Sequence, residues 1–224
     1  LYELLWKRYQ ANREVSRQTP YVAEASHFAR RALQNISLSY LMLSGKPEVV
    51  AACVDQFEQA DNMTERLTAL AVLVNSSFEA ERDKALEAFA EHFKDNPLVM
   101  DQWFSVQAGN TQPGGLERVQ PLMHHPAFTL KNPNKVRALI GAFANQNLVN
   151  FHRADGAGYR FLADQVIVLN KLNPQIASRL LAPLTRWRKY DESRQGLMKT
   201  ELERILASGE LSSDVYEVVS KSLA

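Results

Sequence analysis

Apolar residues recur three and four positions apart along nearly the whole of this 224-residue chain, and no convincing run of five or more residues alternates as a half-buried strand would. YVAEASHFARRALQNISLSYLML carries the helical spacing throughout. SSFEAERDKALEAFAEHF repeats it at Phe78, Ala85, Leu86, Phe89 and Phe93, behind Ser76 and Ser77, which the pattern assigns as caps. Asn132 stands before Pro133 and Asn173 before Pro174, in each case a capping side chain followed by the residue suited to a first helical turn. SSDVYEVVSKSL reads as a further short capped helix.

Counting the helix breakers gives about ten to twelve helices on short connections, so helix pairs recur at roughly 40 residues, the period of HEAT and armadillo units. So many helices of similar length cannot share the core of one bundle. The expected fold is therefore all-α, a superhelix of paired antiparallel helices forming a HEAT/armadillo-like solenoid. No long linker or low-complexity segment divides it, so residues 1–224 are expected to form a single domain. The chain opens on apolar Leu1, Leu4, Leu5 and Trp6, whereas a terminal solenoid unit normally carries a polar outer face. That pattern leads us to expect further helices before it.

Charge excludes some partners. Twenty-six basic and 25 acidic residues leave a net charge of +1, too little for a broad field that would attract nucleic acid or an anionic membrane. No run of about 18 apolar residues is present to span a bilayer. The one cysteine, Cys53, has no partner for a disulfide, which favours a reducing, cytoplasmic location. Its small apolar neighbours mark it as a packing residue rather than a nucleophile.

Candidate chemistry is sparse. The five histidines, His27, His92, His124, His125 and His152, make no His-Glu-x-x-His or Cys/His zinc spacing. His124 and His125 read as a helix end before Pro126, and His27 as a helix-face residue. GNTQPGGLERV lacks the preceding strand of a phosphate loop and reads as a loop with a helix start. FHRADGAGYR gathers His152, Asp155, Gly156 and Gly158 and is read first as a helix-to-helix corner, which a His152–Asp155 pair could lock. A recognition loop and a small catalytic site stay open as alternatives there. Arg137 in NKVRALIGAF and Arg179 in QIASRLLAPL each interrupt an apolar run, where a forked guanidinium could hold a carboxylate or peptide carbonyl, or lie on a solvated face. RWRKYDESR falls at a helix end and reads as solvated.

Six segments occur in an order that goes beyond periodicity: QFEQADNMTERLTAL, NPLVMDQWFSVQA, FTLKNPNKVRALIGAFANQN, FHRADGAGYRFLADQV, LNPQIASRLLAPLTRWRKYD and DVYEVVSKSLA. Together they resemble the C-terminal helical domain of the bacterial aminopeptidase N family, zinc-dependent gluzincin peptidases. The resemblance runs from near residue 1 to Ala224. It implies the later part of that domain, with the domain's first helices and the catalytic domain missing. It implies a parent enzyme that removes N-terminal amino acids, alanine preferred among others, from peptides. The family's His-Glu-x-x-His and Gly-x-Met-Glu-Asn motifs are absent here, so zinc is expected in the parent's catalytic domain, with no cofactor in this chain and no cleavage by it alone. The resemblance further implies that the domain closes over the active site and lines its cavity. Gln175 would then help cap the pocket for the first substrate residue, and Arg179 and Arg137 would lend positive potential near the peptide backbone or its carboxylate. Partners are then the catalytic domain of the same parent chain and peptide substrates. Two other classes remain open: an independent helical scaffold binding a protein or peptide in a concave groove, and a hydrolase using His152 and Asp155.

Overall fold

The computed structural model describes residues 1–224, which form only helices and their connections. The helices are α1 (Tyr2–Gln18), α2 (Ala25–Met42), α3 (Pro47–Gln59), α4 (Met63–Val74), α5 (Glu79–Phe93), α6 (Pro97–Ala108), α7 (Gly115–Leu122), α8 (Pro133–Val136), α9 (Ala142–Gln146), α10 (Leu148–Phe151), α11 (Ala157–Leu172), α12 (Pro174–Leu180), α13 (Ala182–Thr185), α14 (Glu192–Leu206) and α15 (Ser213–Leu223). A π-helical turn, Arg137–Gly141, joins α8 directly to α9, and a 3₁₀ turn, Trp187–Lys189, precedes α14. These fifteen segments exceed the ten to twelve expected because one helix is interrupted by the π turn and several are single turns.

Cap chemistry decides seven of the fifteen helix starts. Asn62, Asn96, Asn132, Asn147, Asn173, Asp191 and Ser212 each accept a hydrogen bond from a backbone N–H of the first turn. The serine caps expected for α5 are a correction. The helix begins at Glu79 with Phe78 at its cap and no side-chain bond there. Ser76 is buried instead, donating to the Leu73 carbonyl and accepting from Phe78 N, so it closes α4 and turns the chain.

Contacts group the chain into two compact units, Leu1–Asp95 and Asn96–Ala224. Within the first, Cys53 Sγ donates to Ala69 O and Gln56 Nε2 to Glu65 O. One partner rises in number as the other falls, so α3 and α4 run antiparallel. Across hairpins the relation is different. Tyr9 Oη donates to Ala52 O and Arg13 Nη2 to Asp55 O, separations of 43 and 42 residues, so α1 and α3 run parallel. The second unit repeats this. Arg204 on α14 reaches the Arg160 carbonyl on α11 at a separation of 44 residues, and Asn170 on α11 reaches Glu210 O just beyond α14 at 40. Helix pairs are thus stacked at the roughly 40-residue period read from the sequence, each element touching near neighbours along the chain.

Each unit has its own apolar interior, with Leu38, Leu41, Val49, Leu70, Leu73 and Phe89 in the first and Phe104, Leu139, Phe143, Phe151, Leu162 and Met198 in the second. The first also buries a polar seam. Arg13 is 5% exposed and pairs with Glu65 and Asp55, each at 3.2 Å. Ser16 donates to Glu65, Gln34 donates to Gln56, and Gln56 donates to Asn35. Buried charge survives because every carboxylate and amide there has such a partner.

Candidate functional site

Arg137, Gln175 and Arg179 all lie in the second unit, and all three side chains are exposed. Arg137 opens the π turn. The extra residue of that turn leaves the helical ladder locally out of step. Ser105 Oγ on α6 compensates by donating to the Ala138 carbonyl at 3.0 Å. Lys135, two residues before Arg137, points inward: it is 4% exposed, donates to Pro97 O at 2.8 Å and pairs with Asp101 at 2.7 Å. Arg137 points outward and donates to Asn134 Oδ1 on its own helix. Of the two cations in NKVR, the lysine is therefore structural and the arginine is presented at the surface.

Asn173 caps α12, and Pro174 sets its first turn. Gln175 and Arg179 are four residues apart and so share one helical face. Ile176, Ala177 and Leu180 bury the opposite face. Arg179 has no ion pair within the chain. Gly141, the last residue of the π turn, brings the elements together: a Cβ there would lie 3.8 Å from both Arg137 Cβ and Leu180 Cδ2. The structure thus sets the Arg137 turn against the end of α12. That contact runs through Leu180, on the buried face of α12, so it does not join Arg137 to the exposed Gln175 and Arg179.

The FHRADGAGYR corner is held differently from the expected His152–Asp155 pair, which does not form. His152 Nδ1 lies 2.8 Å from Tyr159 Oη and its Nε2 lies 3.0 Å from Tyr190 Oη. A neutral imidazole has one donor and one acceptor, so one hydroxyl donates and the other accepts. Burial, then the nearby Arg194 charge, push the His152 pKa below its ordinary 6.5, and burial pushes Tyr159 up to about 12. Asp155 turns away to accept from Ala157 N and to pair with Arg153 at 2.7 Å, and these contacts hold its carboxyl below the usual range. Gly158 permits the close approach: a Cβ there would fall 2.3 Å from the Phe151 carbonyl oxygen. These contacts account for each polar group as structure, which leaves catalysis by His152 and Asp155 without support. RWRKYDESR is largely exposed, as expected, with Arg186, Arg188 and Lys189 on the surface, but several of its side chains also hold backbone. Arg188 and Trp187 both donate to the Ser222 carbonyl, and Arg194 donates to the His152 carbonyl.

Cys53 is fully buried and its thiol is pushed up to about 12 by desolvation, consistent with a packing role. His27 meets Arg30, His92 packs on Phe93, and His125 packs on Trp103 and Phe104 and accepts from Ala127 N. His124 is exposed just past the end of α7. No three His, Cys, Asp or Glu side chains converge on a point that could hold a metal ion. A cleft of about 630 Å³ in the first unit is lined by Arg13, Arg17, Asp55, Asp61 and Glu65, and Arg13 and Arg17 already pair with carboxylates there. Sequence reasoning missed the trio Asn110, Asn147 and Asn150. Asn147 and Asn150 donate to the Asn110 carbonyl, and Asn150 accepts from Gly115 N. The only sequence signal for them was an excess of asparagine next to turns.

Comparison with known proteins supplies the context. A family model described as a domain of unknown function (DUF3458_C) with ARM repeats matches residues 2–224, in agreement with the expected all-α, armadillo-like fold. The chain is 41% identical over 208 residues to aminopeptidase N of Escherichia coli, and 40% identical over 207 residues to that of Haemophilus influenzae. Each match covers 92% of this chain and 24% of the relative, so the chain spans about a quarter of the length of these curated relatives. A crystal structure of Legionella pneumophila aminopeptidase A in complex with aspartic acid superposes with a TM-score of 0.87 at 35% identity, covering 99% of this chain and 27% of that one.

Proposed function

Given that the chain belongs to the DUF3458_C family of ARM-repeat domains, we propose that it serves as a non-catalytic helical domain of a larger zinc aminopeptidase, one that removes N-terminal residues, alanine among the preferred, from peptides. The observation that carries this reading is identity of about 40% to aminopeptidase N across nine-tenths of the chain, within only a quarter of the relatives' length. The domain would close over the active site of the same polypeptide, in the cytoplasm, and gate access to it. The residues of this chain do not fit a catalytic zinc, because no ligand set converges. The metal, which would supply Lewis-acid chemistry, belongs in this reading to the remainder of the enzyme.

The residues proposed to meet substrate are Gln175, Arg179 and Arg137. A peptide carries an amide backbone and a terminal carboxylate, and forked guanidinium donors match both. Arg179, exposed and without an ion pair in its own chain, is the best placed of them. Release from an alanyl chromogenic substrate, with zinc present, tests the reading. The assay uses this chain alone, the remainder of the polypeptide alone, and the two mixed. Activity that appears or rises strongly only on mixing is expected, and activity of this chain alone would reject it. In the intact enzyme, Arg179→Ala is expected to raise KM for peptides roughly tenfold, the effect of one charge-assisted contact of about 1.5 kcal/mol. Unchanged kinetics across peptide lengths would remove Arg179 from the site.

A further inference from the structure

Of residues 135–144, only Arg137 is exposed, and all the others except Gly141 are buried. A helix enclosed in this way has one narrow outlet, and at that outlet it carries a charge with no ion pair in the chain. The π turn begins at the same residue. Single π turns are rare inside helices and recur at functional sites.

The backbone bonds of the turn identify what holds it. In an α-helix the Ala142 N–H would donate to Ala138 O, four residues back. Here it donates to Arg137 O, five residues back, and is shared with Leu139 O. Ala138 O is thereby left without its helical donor, and Ser105 Oγ takes that place at 3.0 Å. Ala138 is buried, and a buried carbonyl without a donor is unfavourable, so the hydroxyl favours the π form over the α form. Asp101 and Ser105 lie four residues apart on one face of α6. They hold Lys135 and Ala138, two residues before Arg137 and one after it. Loss of the π turn would shift the register by one residue, a rotation of about 100°. Either the Lys135–Asp101 pair would break, or Leu139 and Ile140 would leave the core, and Arg137 would turn from its outlet.

We propose that Ser105 is a positioning residue: its hydroxyl holds the π turn that aims Arg137 out of the buried helix towards a peptide substrate. This rests on the reading of the chain as a domain of an aminopeptidase whose substrate Arg137 meets.

The test uses the native full-length polypeptide. Its substrates are alanyl peptides from dipeptide to pentapeptide, and an alanyl anilide, which offers neither a carboxylate nor further backbone. The readout is the ratio of KM for peptide to KM for anilide. Ser105→Ala is expected to raise that ratio roughly three- to tenfold, with kcat for peptides little changed, as one charge-assisted contact is lost in part. Ser105→Thr, which keeps the hydroxyl, is expected to restore most of it. Arg137→Ala should raise the ratio at least as far, and adding Ser105→Ala to it should raise the ratio no further. If Ser105→Ala does not fold, Ser105→Cys, a near match in volume with only a weak donor, should raise the ratio in its place. Equal losses on both substrates, an unchanged ratio in Ser105→Ala beside a raised one in Arg137→Ala, no restoration by threonine, or additive effects in the double variant would each overturn the proposal and leave the aminopeptidase reading standing. An unchanged ratio in Arg137→Ala would remove Arg137 from the site and Ser105 with it. A wild-type polypeptide that hydrolyses no alanyl substrate would sink the enzymatic reading and this proposal together.

Discussion

His152 has a hydroxyl on each ring nitrogen, and this links stability to pH. Its pKa is lowered on folding, so the unfolded chain takes up a proton first as pH falls. The stability contribution is intact above the ordinary value of 6.5 and is lost as pH drops through and below it. His125 is shifted in the same direction, by burial and then by Lys135. Urea midpoints measured from pH 7.5 to 5.5 should therefore fall, and His152→Gln should flatten part of that fall. Gly158 offers a second test. The atoms its Cβ would strike belong to the Phe151 backbone and cannot rotate aside, so Gly158→Ala should cost roughly 3 kcal/mol by urea unfolding. Gly196, inside α14 with open space around it, is the contrast: alanine there should stabilise by about 0.5–1 kcal/mol. The sequence marked Gly158 as turn punctuation. It did not reveal Tyr190 as the partner of His152, because that pairing spans 38 residues.

Helix starts were the most legible elements, since a cap is a contact between near neighbours in sequence. Asn132, Asn173 and Ser212 cap as read, whereas Ser76 closes the previous helix. Asn173→Ala should cost about 1 kcal/mol, and because α12 is only 7 residues long it should also loosen the Gln175 and Arg179 face. Faster amide exchange in Ile176–Leu180 would register that effect. The π turn was not legible, because its freed carbonyl is satisfied by Ser105, 33 residues earlier. The inner face of α2 was not legible either, because apolar spacing does not tell on which side the rest of the chain will sit, and Leu38, Leu41 and Met42 share that face with Gln34 and Asn35 of the polar seam.

Across the molecule, the roughly 40-residue period was the feature read most directly, and the ladder of separations from α1–α3 to α11–α14 embodies it. Arg13 ties three helices of that ladder, pairing with Asp55 of α3 and Glu65 of α4 from α1. Arg13→Met would leave Glu65 buried and uncompensated, a loss of roughly 3–5 kcal/mol. Restoring much of it with a second change, Glu65→Leu, would show by a double-mutant cycle that the cost lies in the orphaned charge rather than in lost packing. The candidate substrate surface was legible only through family resemblance, since Arg137 and Arg179 look locally like any exposed arginine.

Parallel stacking at a near-constant sequence offset also shapes how such a chain can change over time. An insertion of a few residues puts every downstream partner out of step. Duplication or deletion of one whole hairpin leaves the remaining interfaces with contacts of the same kind. The architecture therefore favours growth and shrinkage in whole modules, with the loops between hairpins as the natural points of recombination.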